Sequence, residues 1–366
     1  MAASWENKLE EWLKEGLIEA DAAQRIRIYE GDVEGSGGLR WPAILALAFG
    51  GVLLAAGVLL FVSAHWDDIS PAARFSLVLT MVAVLHAGGA VTANRLPDLS
   101  ITLHTIGTLA CGGGVMLAGQ IFNLAEHWPS GVLMWAAGAA IGWAVLRHWT
   151  QAAMFAILAP AWLAGEWEVA SNYFRDGGET VVAAGLLALA FAYFSARMEE
   201  ADSPLRQALC WVGGIFILPL AAVLPEISRR GANAAIFPWT IAVGAPLFVA
   251  WLLRKEATIY NLAAGLWVLL LAFTTHRFDD LWTMVVWATG AVGITAWGVL
   301  EARAERINLG MVAFLLTVTT YYFSNIFDML GRSVSLIGLG IVFLAGGWGL
   351  EKLRRGLLAQ IGKEAR

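Results

Sequence analysis

Apolar runs of about 17–23 residues recur from one end of the chain to the other, and no other feature restricts its fold so strongly. Wound as a helix, a run of that length crosses the hydrocarbon core of a bilayer. Backbone groups in lipid must find their partners within the segment, so the runs predict helices rather than strands. Composition agrees. Of 366 residues, 58% are hydrophobic and only 14% charged, with a mean hydropathy of +0.65, whereas soluble domains carry roughly 25% charged residues. The 39 glycines allow helices to approach closely, and the 18 tryptophans suit the headgroup level. The expectation is an all-α, polytopic membrane helix bundle of about 12 transmembrane helices, preceded by a small N-terminal cytoplasmic helical hairpin.

The spans are placed at about 41–63, 72–93, 101–122, 130–147, 150–168, 179–196, 206–224, 235–253, 258–275, 281–300, 307–327 and 333–350. With the head inside, the inner segments hold 18 Lys and Arg and the outer loops hold 6, alternating loop by loop. That asymmetry predicts a multi-pass membrane protein with both termini cytoplasmic. Every loop is short, so any site must be built from helices and their ends.

The polar head carries two apolar stripes at helical spacing: Trp5, Leu9, Trp12 and Leu13, then Ile18, Ala22, Ile26 and Tyr29. Gly16 between them suits a helix-ending position, which predicts an αα-hairpin over 1–30. Residues 31–40 read as a flexible tether, 41–351 as the membrane domain and 352–366 as a basic cytoplasmic tail. The head has no apolar h-region, so no cleaved signal peptide is expected and the first span serves as its own insertion signal. The two cysteines, Cys111 and Cys210, fall in or beside apolar runs and offer no disulfide framework or metal knuckle.

The head GLIEADAAQRI, the segment LLAAGVLLFVSAHWDDISPAARF, the span ending LAGQIFNL at 117–124 and the late segment RINLGMVAFLLTVTTYYFSNIFDMLGRS together carry a resemblance. They resemble an uncharacterised family of bacterial membrane proteins, domain of unknown function 2157. Two positions depart from its usual pattern: Glu19 stands where a serine or threonine cap is usual, and Phe122 where a tyrosine is usual. The resemblance implies the architecture and carries no activity.

The outer loops gather carboxylates and imidazoles: His65, Asp67 and Asp68; Glu126 and His127; Glu166 and Glu168; His276, Asp279 and Asp280. Such groups at one face suit cation binding or acid–base work. The plainer reading is acidic outer loops with tryptophan anchors, and the spacing fits no defined metal motif. No metal or other cofactor is expected. Within the spans, His86, His104, Gln120 and Asn123 are the informative polar residues, because polarity in lipid is costly. A short loop joins the spans of His86 and His104, so their imidazoles are expected to face each other at similar depth. A proton or cation relay would want that pairing, and an interhelical hydrogen bond is the bland alternative. Pro160, Pro219 and Pro246 lie inside spans, as in broken helices that line transport sites. The ninth span and its loop (NLAAGLWVLLLAFTTHRFDD) parallel the first (LLAAGVLLFVSAHWDD), which suggests a repeat of spans 1–4 and 9–12.

No catalytic motif and no basic stripe for nucleic acid occurs. Membrane lipids are expected neighbours, and a cytoplasmic protein is a candidate partner for the hairpin. Transport or translocation of an ion, small solute or lipid fits best. The alternatives are a scaffold or sensor working through the hairpin, and an enzyme acting on a lipid-linked substrate at the outer face.

Overall fold

The structure is a computed structural model that describes residues 9, 12–35, 53, 69–122, 127–171, 178–198, 202–229, 236–274 and 281–326, with isolated positions beyond. The first and twelfth expected spans and the basic tail lie outside the described residues, save for single positions. Two compact units divide the chain, Met1–Arg74 and Phe75–Arg366.

In the first unit, Gly16 has φ +71 and its N–H bonds the carbonyl of Leu13, while Leu17 N–H bonds that of Trp12. A left-handed glycine with these reach-back bonds closes a helical turn. Helix α1 (Ala20–Gly35) follows, with Ala22, Ala23 and Ile26 on its sheltered side and Ile18 part-buried just before it. It continues five residues into the stretch read as a tether. Glycine lowers helix stability by about 1 kcal/mol without forbidding the conformation, so the glycines at 31 and 35 do not stop it.

The second unit is a bundle of helices in up-and-down order: α2 (Pro71–Thr92, of which the part from Phe75 onward belongs to this unit), α3 (Pro97–Ile121), α4 (Trp128–Leu146), α5 (Trp149–Ser171), α6 (Gly178–Phe194), α7 (Pro204–Ser228), α8 (Ile236–Arg254), α9 (Ile259–Ala272), α10 (Leu281–Leu300) and α11 (Ala304–Tyr321). They coincide with the second to eleventh expected spans. Seven stretches among the described residues are long and apolar enough to cross a membrane, one of them containing both α8 and α9. No strand occurs among the described residues. The outward side chains are apolar: Val91, Val145 and Ile236 are each more than 70% exposed. Water would not tolerate that surface over a whole bundle, and lipid would.

Helix α6 is the axis, packed by α7, α8 and α9. Its small residues let neighbours in, and 11 of its 17 residues are buried. At Gly213 of α7 a Cβ would lie 2.3 Å from the Ala190 carbonyl and the Phe194 nitrogen of α6, so glycine is required there for the two backbones to meet. Tryptophans fall into two groups. Trp128, Trp149 and Trp282 are half-exposed at helix starts, as interfacial anchors should be. Trp135 and Trp267 instead lie over Gly112 and Gly290 of a neighbouring helix, and each indole N–H donates to the carbonyl four residues before that glycine, Thr108 at 2.9 Å and Val286 at 2.8 Å. Pro160, Pro219 and Pro246 sit within continuous helices, so these spans are not broken there.

The turns after α6, α8 and α10 meet on one side of the bundle, here called the basic face. Arg254 donates to the Ser195 carbonyl (3.2 Å), and Arg306 to those of Ser195 and Arg197 (3.3 and 2.8 Å). Arg206 donates to Ala196 and Leu253 (2.8 and 2.9 Å). The guanidinium groups thus cap the carbonyl end of α6, where the helix dipole is negative. Arg254 and Arg306 share the Glu301 carboxylate and both lie over the Trp297 ring. Asp202 receives Met198 N–H at 2.7 Å and lies 3.8 and 4.0 Å from Arg303 and Arg197.

Candidate functional site

The tight turn between α2 and α3 sets the geometry of the candidate site. Leu96 N–H bonds the Thr92 carbonyl at 2.8 Å, and Ser100 Oγ donates to the Gly89 carbonyl at 2.7 Å. Counted from the turn, His86 lies six residues back in α2 and His104 lies seven residues into α3. At 1.5 Å per residue both rings sit roughly 10 Å from the helix ends. The structure brings them together, with Nδ1 to Nδ1 at 2.9 Å and ring centroids 5.2 Å apart.

Each ring occupies space left by a glycine on the other helix. A Cβ on Gly107 would lie 2.9 Å from His86 Nε2, and one on Gly89 would lie 2.7 Å from His104 Nε2. The pairing is reciprocal: His86 with Gly89 three residues on, and His104 with Gly107 three residues on. Two His-x-x-Gly steps, facing each other, are the local rule that builds the contact.

A third imidazole continues the line. His148, in the turn between α4 and α5, has its ring centroid 5.9 Å from that of His104. The neighbouring Gln151 is fully buried and donates to the His104 carbonyl at 3.2 Å, while its Oε1 and His148 Nδ1 have no hydrogen-bond partner among the described residues. Thr108 Oγ1 also donates to the His104 carbonyl, at 3.0 Å. A recess of about 280 Å3 among α2, α3 and α4 is lined by His86, His104, Thr108 and Cys111.

A hydrogen bond between two imidazole nitrogens requires one to donate and the other to accept. At 2.9 Å the two Nδ1 atoms therefore hold one proton between them. A single extra proton, placed on the donor ring, strengthens the bond by charge assistance. Two imidazolium rings would put a hydrogen on both Nδ1 atoms and force them apart. The separation is also too short for a zinc ion to bridge the two nitrogens, each of which would need about 2.0 Å to the metal in tetrahedral geometry. Among the described residues no three His, Cys, Asp or Glu side chains gather as a metal site.

The other expected site residues are dispersed. Gln120 is exposed at the far end of α3. On the opposite face, His127 lies 3.0 Å from a Glu166 oxygen and Trp162 N–H donates to the same carboxylate at 3.0 Å. Trp128 packs over Gly165 beside them. Glu168 is exposed and joins no bond with them. His65, Asp67, Asp68, Asn123, Glu126, His276, Asp279 and Asp280 lie outside the described residues, as does most of the suggested repeat.

Sequence reasoning missed His148 and the arginine cluster. Both signals were available: His148 begins a His-Trp pair at a helix junction, and Arg206, Arg254, Arg303 and Arg306 stand at successive turns on one side. In the sequence alone the arginines read only as loop charges, and His148 is given no role.

Searches of curated proteins and of solved structures each found no match. Residues 10–152, a stretch that contains all three clustered histidines, match the model of a family described as predicted membrane protein (DUF2157). The resemblance read from the sequence is therefore shown over that stretch, which is similar to the predicted membrane proteins of that family.

Proposed function

We propose that the chain couples proton movement to the translocation of an ion, small solute or lipid across a membrane, with His86 and His104 as the proton-holding pair. The observation that carries this reading is the 2.9 Å contact between their Nδ1 atoms inside two apolar helices. A polar pair in lipid is costly to keep, and a structural hydrogen bond alone could be made by residues that do not titrate. Histidine changes charge near neutral pH.

A proton enters from the basic face at His148, passes to His104, and is shared with His86. A second proton cannot be held without breaking the contact, so loading separates α2 from α3 and unloading restores it. That gives a two-state element biased by protonation. The surplus of Lys and Arg on the basic face favours its lying toward the cytoplasm of a cell membrane.

The test is proton flux into liposomes that contain the purified protein and a trapped pH-sensitive dye. After an external acid step, wild-type vesicles should equilibrate faster than empty ones. His86→Asn and His104→Gln should bring the rate down to that of empty vesicles at equal protein incorporation. Equal flux in the wild type and both variants would end this reading.

A further inference from the structure

We propose that the recess at the start of α7, on the basic face, is a binding site for a phosphate-type oxyanion. The recess has a volume of about 710 Å3 and is lined by Ser203, Arg206, Arg254 and Lys255, with Asp202 and Glu256 also on its wall. That is room for a phosphate group bearing an organic substituent.

Several independent features point to an anion. Helix α7 is 25 residues long and begins at the wall of the recess with its N-cap, Ser203. Pro204 has no N–H and Ser203 Oγ takes that of Arg206, so it is the positive end of the helix dipole that favours negative charge there. Arg254 also borders the recess, but its buried guanidinium already holds the Ser195 carbonyl and Glu301, so the open cations are Arg206 and Lys255. No carboxylate pairs with Arg206 or Lys255 among the described residues, and the Lys255 ammonium rests 4.7 Å from the centre of the Trp251 ring.

The acids do not cancel these charges. Asp202 is engaged by Met198 N–H, Arg303 and Arg197. Glu301, behind the recess, is shared by Arg254 and Arg306. Glu256 is exposed on the rim. Among the described residues, Lys255 and Arg206, the latter also holding the Ala196 and Leu253 carbonyls, are therefore the cations on this wall that no carboxylate neutralises. Lys255 has φ +56, a left-handed conformation that disfavours a lysine. Keeping a lysine there, where asparagine or glycine would fit the backbone better, is consistent with a use for its charge.

A phospholipid headgroup and a soluble phosphate share this chemistry, and a recess at the end of membrane helices could receive either. The experiment uses the full chain, purified in phosphate-free detergent. Its unfolding temperature is followed by tryptophan fluorescence while inorganic phosphate, phosphatidylglycerol or phosphatidylcholine is titrated in. Stabilisation by phosphate assigns the site to a soluble oxyanion, and stabilisation by phosphatidylglycerol alone assigns it to an anionic headgroup. In either case Lys255→Asn should weaken the apparent affinity by about fivefold and Glu256→Gln should strengthen it. Asparagine suits the left-handed backbone, so Lys255→Asn should fold at least as well as wild type without ligand. No saturable stabilisation by either probe, or titrations that neither substitution moves, would overturn the proposal.

Discussion

At the scale of single residues, two glycines decide whether the histidine pair can exist. Gly89 and Gly107 sit inside helices, where alanine would ordinarily gain about 1 kcal/mol. A methyl group at either position would meet an imidazole at 2.7 or 2.9 Å. Gly89→Ala and Gly107→Ala should therefore push the rings apart and lower proton flux toward that of His104→Gln. Gly113, in the same helix as His104, has open space at its Cβ position. Gly113→Ala should keep wild-type flux, and a comparison of the three variants in liposomes checks this. The His-x-x-Gly steps around His86 and His104 were legible in the sequence as letters. That they interlock was not, because the pairing depends on the rotation of each helix about its axis. An apolar helix facing lipid on one side and protein on another gives weak periodicity from which to read that rotation.

Among elements, three helical hairpins are tied at the basic face by arginines that reach across to the end of α6. Arg254 and Arg306 are almost fully buried, and Glu301 is the carboxylate that neutralises both. Removing one member of a buried ion cluster leaves charges without compensation, so Glu301→Gln should destabilise the protein by about 3 kcal/mol or more. The exposed pair of Glu226 on α7 and Arg229, its C-cap, gives the contrast. There Glu226→Gln should change stability by less than about 1 kcal/mol. Thermal unfolding of the two variants in the same detergent measures the difference. The helices themselves were legible, since the apolar runs and their polar turns fall at α2 to α11 within a few residues. The arginines were legible only as a charge tally. Their convergence depends on the order in which hairpins pack around α6, and loop charges do not encode that order.

For the whole molecule, the bundle has two unlike faces and one polar line running inward between them. The opposite face joins His127 to Glu166 and Trp162, while the basic face carries the arginine cluster and His148. From His148 the line passes to His104 and His86, all within the stretch that matches the family. The central claim is that His86 and His104 share one proton and separate when given two. The most direct test is 15N NMR of the histidine-labelled protein in liposomes across a pH titration. At neutral pH the spectrum should show a coupling through the hydrogen bond between the two Nδ1 nuclei. It should be absent in His86→Asn and vanish on acidification, when both rings carry a charge. Two imidazoles that titrate independently, with no coupling at any pH, would contradict the account.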